Sequence, residues 1–304
     1  MHVQLQGIIP PLVTPFAADE TVDEAAFRET VRFMLEKEVH GICIGGSTGE
    51  GHTLSTAELA RCIEIATEEV AGRIPVVAGI IANSTRDAVE KAKAVEAFDV
   101  AALQITPVHY VFKPDDDATY RHFERLTAET KTPIIIYNVV PWNYLSPSLL
   151  VRIMKGLPGV IGVKQSAGDL KLMADLLISV PEGKLVFSAV DALLYPSFAI
   201  GAHGTIAANP AAIPGVCVTL WNAVKEGNNE KARTIHEAML RFWNTISADN
   251  LPANVKYVLS KQGVDAGIPR MPMPKTTPEQ ARAIDGALKA VLEFDETGRK
   301  AKAA

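Results

Sequence analysis

The fold is indicated first by one stretch of the chain, Gly159-Val160-Ile161-Gly162-Val163-Lys164-Gln165-Ser166. Apolar and glycine residues lead directly into Lys164, after which the sequence becomes polar. A short apolar run of this kind is typical of a parallel strand that is buried on both faces. We therefore expect Lys164 to lie at the carboxyl end of a parallel sheet, with its stem in an apolar wall. A lysine that merely reaches to solvent from a strand end is the alternative.

Similar apolar runs recur along the first two thirds of the chain. Each is too short for a helix and is bounded by glycine, proline or polar residues, which favours a strand. Together with residues 160–164 they give eight predicted strands, the others being residues 7–13, 41–44, 75–81, 100–105, 133–137, 185–187 and 202–206.

Amphipathic segments separate these runs, and their apolar residues recur at helical spacing. They cover residues 22–38, 56–70, 83–93, 149–155, 169–178 and 191–200. Repeated alternation of strand and helix predicts an α/β fold, a (β/α)8 TIM barrel. An open parallel sheet is the alternative, but no GxGxxG follows the first strand and no GxxxxGK[ST] occurs.

More helix follows the eighth strand than the barrel needs to close. Helical segments are predicted at residues 210–225, 228–246, 252–262 and 277–292. We expect a catalytic barrel over residues 1–225 and a C-terminal helical domain over residues 226–304. The second part is too short for a large core of its own, so it should pack on the barrel.

The composition narrows the function classes. The chain has 304 residues, a formal net charge of -5 and 48% hydrophobic residues, which fits a globular enzyme and gives no basic surface for nucleic acid. The three cysteines lack metal or redox spacing and fit a reducing compartment, and Cys43 and Cys62 are expected to be buried. The first residues lack a secretion signal, and no apolar run is long enough to span a membrane. A cytoplasmic enzyme without a membrane or nucleic-acid partner is therefore expected.

The carboxyl ends of the strands are where a barrel of this type carries its active site. The loop Gly45-Gly46-Ser47-Thr48-Gly49-Glu50 follows the second strand and offers hydroxyl and N–H groups that suit a carboxylate. It could also simply begin the next helix, with Glu50 complementing the helix dipole or a backbone N–H. Tyr137 ends the fifth strand, where its hydroxyl needs a partner, either Lys164 and Ser47 or the backbone.

A lysine, a phenol and an anion-binding loop suit Schiff-base chemistry on a 2-oxo acid. Burial disfavours the charged form of an amine, so Lys164 could act as a nucleophile near neutral pH. The phenol of Tyr137 would move protons, and the iminium would withdraw electrons from the adjacent carbon. This chemistry requires no metal or other cofactor, and the seven histidines show no metal-ligand spacing.

Five motifs, in order along nearly the whole chain, resemble the dihydrodipicolinate synthase / N-acetylneuraminate lyase family. They are Pro11-Leu12-Val13-Thr14-Pro15-Phe16, Gly46-Ser47-Thr48-Gly49-Glu50, Tyr137-Asn138, Gly162-Val163-Lys164-Gln165-Ser166-Ala167-Gly168-Asp169-Leu170 and Gly201-Ala202-His203-Gly204-Thr205-Ile206. The resemblance implies a barrel with a C-terminal helical domain, a homotetramer, and pyruvate or another 2-oxo acid held as an imine on a lysine.

The resemblance also implies roles for individual residues. Lys164 would form the imine, Tyr137 and Ser47 would relay protons, and Thr48 would bind the carboxylate of the 2-oxo acid. The backbone carbonyl of Ile206 would face the site. Synthases of the family complete the relay with a tyrosine that reaches into a neighbouring subunit. That position is His109 in this chain, and we expect the next residue, Tyr110, to take the role.

Departures from the family motifs bear on the second substrate. Trp142 stands where a dihydrodipicolinate synthase carries the arginine that binds aspartate semialdehyde, and an indole does not replace a guanidinium. Trp142 is then either a packing residue or one wall of an aromatic-lined pocket. Asp191 matches the sialic-acid lyases, but Ala189 and Ala192 replace residues that would contact the sugar.

These observations lead to one main hypothesis and two alternatives. The main one is a lyase that forms a lysine imine with pyruvate or a related 2-oxo acid. It would make or break a C–C or C–O bond to a second substrate, an aldehyde other than aspartate semialdehyde. The first alternative is a 4-hydroxy-tetrahydrodipicolinate synthase that does use aspartate semialdehyde. The second is a barrel that binds a 2-oxo acid without turnover.

Overall fold

Eight parallel strands form one sheet in the computed structural model, which describes residues 5–108 and 110–298. All eight coincide with predicted apolar runs, and β5, β6 and β7 each extend one residue beyond the predicted end. The strands are β1 (Gly7–Ile8), β2 (Ile42–Ile44), β3 (Val76–Ile80), β4 (Ala102–Ile105), β5 (Ile134–Asn138), β6 (Val160–Gln165), β7 (Leu185–Ser188) and β8 (Gly204–Thr205).

The sheet closes on itself. Its strand order is β1-β8-β7-β6-β5-β4-β3-β2, and the two ends meet where Pro11 pairs with Cys43 in a parallel bridge. Across this seam Leu12 N–H donates to the Cys43 carbonyl at 2.9 Å, and Cys43 N–H donates to the Pro10 carbonyl at 2.9 Å. The predicted (β/α)8 barrel is therefore confirmed, and the open sheet is excluded.

Helices follow the strands and cover the barrel. The Ser55–Glu58 capping box starts α2 (Thr56–Val70) at the predicted residue. The helices of the barrel are α1 (Glu24–Glu36), α2 (Thr56–Val70), α3 (Thr85–Val95), α4 (Asp116–Glu129), α5 (Pro147–Gly156), α6 (Leu170–Ser179), α7 (Leu194–Ala199), α8 (Ala208–Ala212) and α9 (Pro214–Lys225).

One predicted helical segment is divided in two. The sequence indicated continuous helix from residue 210 to 225, whereas the structure has α8 and α9 with a break at Ile213. Ile213 has φ -134° and ψ 61°, outside the helical region. It precedes Pro214, and a proline ring disfavours helical geometry in the residue before it.

The register between β5 and β6 contains one irregularity that affects the site. Ile134 pairs with Val160, but Ile135 pairs with Gly162, so Ile161 is a surplus residue in β6. After this bulge the pairing runs evenly to Tyr137 opposite Lys164. Paired residues of parallel strands point to the same face, so both side chains are directed into the barrel.

The barrel interior below the lysine is apolar and closely packed. Ile9, Cys43, Val77, Ile135 and Phe187 belong to one interior cluster, each fully buried. Phe187 is the β7 partner of Lys164 in the register. This cluster forms a floor that keeps the lysine at the carboxyl end of the barrel. Cys43 and Cys62 are buried, as expected, and Cys217 is buried too; all three are free thiols.

Three C-terminal helices pack on the barrel: α10 (Asn229–Ile246), α11 (Leu251–Ser260) and α12 (Pro278–Leu292). Contacts join α10 to α7 and α9, and α11 to α8. A domain boundary between residues 225 and 226 stays a prediction. In the part of the chain that is described, the helices are too short or too polar to cross a bilayer.

Candidate active site

Lys164 and Tyr137 lie side by side at the carboxyl end of the barrel. They are paired residues of β6 and β5, and their exposed fractions are only 3% and 4%. The Lys164 Nζ atom lies 3.7 Å from the centroid of the Tyr137 ring. The amine therefore rests on an aromatic face inside the protein and does not extend into bulk solvent.

The Tyr137 hydroxyl is connected to the loop after β2. Ser47 Oγ lies 3.1 Å from Tyr137 Oη, within hydrogen-bonding distance. The next residue, Thr48, is 8% exposed and lines the same cavity as the lysine. An amine, a phenol and two hydroxyls thus meet in one place, as the sequence predicted.

Backbone hydrogen bonds fix this loop tightly. Gly49 N–H and Gly51 N–H both donate to the Gly46 carbonyl at 3.0 Å, and Thr14 Oγ1 donates to the Gly49 carbonyl at 2.7 Å. A Cβ atom at Gly49 would lie 2.4 Å from the Leu12 carbonyl oxygen. Only glycine fits there, because any side chain would push the loop off the barrel.

A cavity of about 380 Å³ opens above Lys164. Six of the predicted site residues line it: Ser47, Thr48, Tyr137, Lys164, Asp191 and Ile206. The remainder of its wall is formed by Pro11, Val139, Tyr144, Ser166, Ala189, Val190, Ala192, Ala207, Ala208, Trp243, Leu251 and Pro252.

Two of the other predicted site residues, Trp142 and Tyr110, are not among those that line this cavity. Trp142 is 61% exposed, in the short 3₁₀ turn Pro141–Asn143, so it does not form the pocket wall that was one of its two predicted roles. Tyr144, two residues later, lines the cavity instead. Tyr110 is 69% exposed, and its role in a neighbouring subunit stays a prediction. His109 lies outside the described residues.

Asp191 holds the backbone at the start of α8, where the chain lines the cavity. Its carboxylate accepts hydrogen bonds from the backbone N–H groups of Ala208 and Asn209, at the start of α8. Burial raises the pKa of this carboxyl to about 6, although the two N–H groups and nearby Lys164 oppose the rise. Both oxygens are thus engaged by the backbone next to Ile206, which suits a structural support better than a direct substrate contact.

Sequence reasoning missed a buried ion pair beneath the loop. Lys256 Nζ lies 2.7 Å from Glu50 Oε1, and the two residues are 3% and 0% exposed. Glu50 also accepts the Arg270 backbone N–H at 2.9 Å, in line with the expectation that it would bind a backbone N–H. The sequence showed only a lysine within an apolar stretch of α11, and that pattern does not identify the residue with which the lysine pairs.

The comparisons with known proteins agree with this fold. A model of the dihydrodipicolinate synthetase family matches residues 4–291. The chain is 33% identical, over 98% of its length and 100% of the relative's, to 4-hydroxy-tetrahydrodipicolinate synthase of Methanopyrus kandleri. Dihydrodipicolinate synthase of Aquifex aeolicus superposes with a TM-score of 0.88 at 28% identity, covering 94% of this chain and 98% of that one. The CdNal structure from Clostridium difficile, in complex with mannosamine, gives 0.88 at 25% identity, covering 95% and 99%.

Fold and site define an enzyme of the lyase class, an aldolase built on a (β/α)8 barrel. The chain belongs to the dihydrodipicolinate synthetase family. The hypothesis of a barrel that binds a 2-oxo acid without turnover is therefore set aside. One relative is named a 4-hydroxy-tetrahydrodipicolinate synthase, and another was solved in complex with mannosamine. Family membership alone therefore does not identify the second substrate of this chain.

Proposed function

We propose that this protein forms an imine between Lys164 and pyruvate, or a closely related 2-oxo acid, and uses it to make or break a bond to a second substrate. One observation carries the proposal: the buried Nζ of Lys164 lies 3.7 Å above the Tyr137 ring, and the phenol in turn contacts Ser47. A nucleophile beside a proton-transferring group is the arrangement that covalent catalysis requires.

The first step joins the amine to the ketone. The lone pair of Lys164 Nζ attacks the carbonyl carbon, and the carbonyl oxygen takes up a proton to give a carbinolamine. The nitrogen loses a proton, the hydroxyl gains one and leaves as water, and the C=N bond forms. Tyr137 is placed to carry these protons, with Ser47 as the next group in the chain.

The carboxylate of the 2-oxo acid would bind to the loop after β2. Thr48 follows Ser47 in the chain and lines the cavity, and a tight loop that carries hydroxyl and backbone N–H groups suits a small anion. Binding there would orient the ketone carbon toward Lys164. Ile206 also lines the cavity, and its backbone carbonyl would accept a hydrogen bond from the protonated intermediate.

The second step uses the imine to withdraw electrons. Loss of a proton from the adjacent carbon gives an enamine, and that carbon attacks the carbonyl carbon of an aldehyde, whose oxygen takes a proton. Addition of one water then releases the product and the free amine. The reverse sequence breaks the same C–C bond, and elimination of a hydroxyl from a deoxy-keto acid uses the same imine. Lys164 supplies the electron withdrawal, so we propose that no metal or other cofactor takes part.

A second candidate is the synthesis of 4-hydroxy-tetrahydrodipicolinate from pyruvate and aspartate semialdehyde. The name of the Methanopyrus kandleri relative, 33% identical to this chain, favours it. Trp142 at the position of the family's arginine argues against it. An assay with pyruvate and purified aspartate semialdehyde separates the two candidates, since only the synthase would consume both at a rate typical of an enzyme.

Borohydride trapping tests the covalent step. Incubation with pyruvate and borohydride should add a carboxyethyl group to Lys164, detected by mass spectrometry of the proteolysed chain. Lys256 is an internal control, because it is equally buried but paired with Glu50 and away from the cavity. Absence of the adduct at Lys164, or labelling of both lysines to the same extent, would refute the proposal.

A further inference from the structure

The cavity has two chemically different walls. Tyr137 lies beside the lysine and contacts Ser47, whereas another part of the lining is apolar: Val190 and Ala192 follow β7, and Trp243, Leu251 and Pro252 come from α10 and α11. The C-terminal helices thus supply an apolar surface that faces the substrate. An aromatic ring and aliphatic side chains favour the burial of an apolar group.

The charged residues that line the cavity also disfavour a second substrate that carries a carboxylate. Among the described residues that line it, Lys164 is the single cation and Asp191 the single acid. Lys164 would already be bonded to the 2-oxo acid, and the carboxylate of Asp191 would repel a further anion. A second substrate that carries its own carboxylate would have to bury that charge without a cationic partner, which is unfavourable.

Few polar groups remain for a second substrate. Tyr137 and Ser47 contact each other, and both oxygens of Asp191 accept backbone N–H groups. The Tyr144 hydroxyl donates to the Ser166 carbonyl at 3.4 Å. The Ser166 hydroxyl has no hydrogen-bond partner within the described chain, but it is buried and not accessible from the cavity. A polyhydroxylated chain would therefore leave several of its groups unpaired.

We propose that the second substrate is an uncharged aldehyde with an apolar aliphatic or aromatic body. The body would pack against Trp243, Leu251 and Pro252, and the Tyr137 hydroxyl, beside Lys164, would donate the proton that the carbonyl oxygen takes as the new C–C bond forms. This inference rests on the proposed function and specifies the substrate class of the same site.

Borohydride trapping on one sample first establishes that the wild-type protein forms the imine, and matched aldehydes are then compared on untreated protein. Butanal is paired with 4-oxobutanoate and benzaldehyde with 4-formylbenzoate, with pyruvate as the common donor. We expect kcat/KM for each neutral aldehyde to exceed that of its carboxylate counterpart roughly 10- to 100-fold. Equal or reversed preference, or no condensation with any of the four despite a trapped imine, would overturn this inference. Failure to trap the imine would instead refute the proposed function on which it rests.

Two variants probe the apolar wall. Leu251→Arg should improve the relative kcat/KM of the carboxylate aldehydes roughly tenfold, because it supplies the missing cation. Ile178→Arg, on an 85% exposed position of α6, adds the same charge away from the cavity and should leave the preference unchanged. Trp243→Ala should reduce kcat/KM for benzaldehyde more than for butanal. An unchanged ratio in Trp243→Ala would contradict the proposed contact even if Leu251→Arg did not fold.

Discussion

Lys256 of α11 and Glu50 of the loop after β2 form an ion pair of 2.7 Å, with side chains that are 2% and 1% exposed. Burial lowers the pKa of Lys256, and Glu50 opposes this change. Lys256 also donates to the Ile268 carbonyl at 2.6 Å. Glu50 has left-handed geometry, with φ 55°, and its N–H donates to the Ser47 carbonyl at 3.0 Å. The pair therefore connects the C-terminal helices to the loop that presents Ser47.

Removing one partner of this pair should be strongly destabilising. Glu50→Gln or Lys256→Met alone leaves an uncompensated buried charge, which typically costs about 3–5 kcal/mol. The double variant should lose less than the sum of the two single losses. Urea unfolding of the three variants measures the free energy of unfolding. Lys171→Met serves as the control, because its pair with Asp175 is exposed and contributes at most about 1 kcal/mol. Additive losses in the double variant would contradict the coupling.

Lys164→Ala should abolish turnover without loss of the fold. The variant lacks the nucleophile, so we expect activity to fall by roughly 10⁴-fold or more, with no adduct after borohydride treatment. Lys164→Arg separates charge from nucleophilicity, since a guanidinium keeps the charge but does not form the imine. Circular dichroism checks the fold of both. Substantial activity in either variant would remove Lys164 from the assigned role.

Tyr137→Phe should slow imine formation while leaving the aromatic face for Lys164 in place. Loss of a proton-transferring group typically reduces the rate by about 10²- to 10⁴-fold. Ser47→Ala removes only the partner of the hydroxyl, so we expect a loss of roughly tenfold. Stopped-flow measurement of imine formation with pyruvate distinguishes the two. A more severe effect of Ser47→Ala than of Tyr137→Phe would reverse the proposed order of the relay.

Asp191 should make stability depend on pH in a defined direction. Its pKa of about 6 in the folded protein exceeds the ordinary value of 3.8, so the folded state holds the proton more tightly. This contribution to stability is fully present below about pH 3.8 and is lost as the pH rises through about 6. Relative to Asp191→Asn, the wild-type free energy of unfolding should fall by up to about 3 kcal/mol across that window.

Urea unfolding of both proteins at several pH values across this window provides the measurement. Asp175→Asn is a suitable control, because Asp175 is a surface carboxylate paired with Lys171. A stability difference between wild type and Asp191→Asn that stayed constant with pH would show that the carboxyl does not titrate as the burial implies.

The parts of this molecule that follow from local sequence were predictable. Strands were visible as short apolar runs, and the Ser55–Glu58 capping box placed the start of α2. Because neighbouring strands of a barrel present their last residues at the same end, Tyr137 could be placed beside Lys164 before any coordinates. Ser47 follows β2, which does not neighbour β5, so its contact with Tyr137 was expected only because all eight strands present their carboxyl ends at the same end of the barrel.

Other parts depend on how distant segments pack, and no local pattern encodes them. The ion pair between Glu50 and Lys256 joins residues far apart in the chain, and the apolar wall of Trp243 and Leu251 depends on the packing of α10 and α11 against the barrel. For Trp142 the sequence left two alternatives open, because it did not show where the turn would direct this side chain. A 3₁₀ turn directs successive side chains in different directions, so Tyr144 and not Trp142 lines the cavity.

Because of the surplus residue Ile161, the geometry of the active site depends on the number of residues in β6 as well as on their identity. If the pairing of Ile134 with Val160 had continued evenly, Tyr137 would stand opposite Val163, and Lys164 would project from the other side of the sheet. Insertion or deletion of a single residue in this strand is therefore expected to inactivate the enzyme, although Lys164 and Tyr137 would both still be present in the sequence.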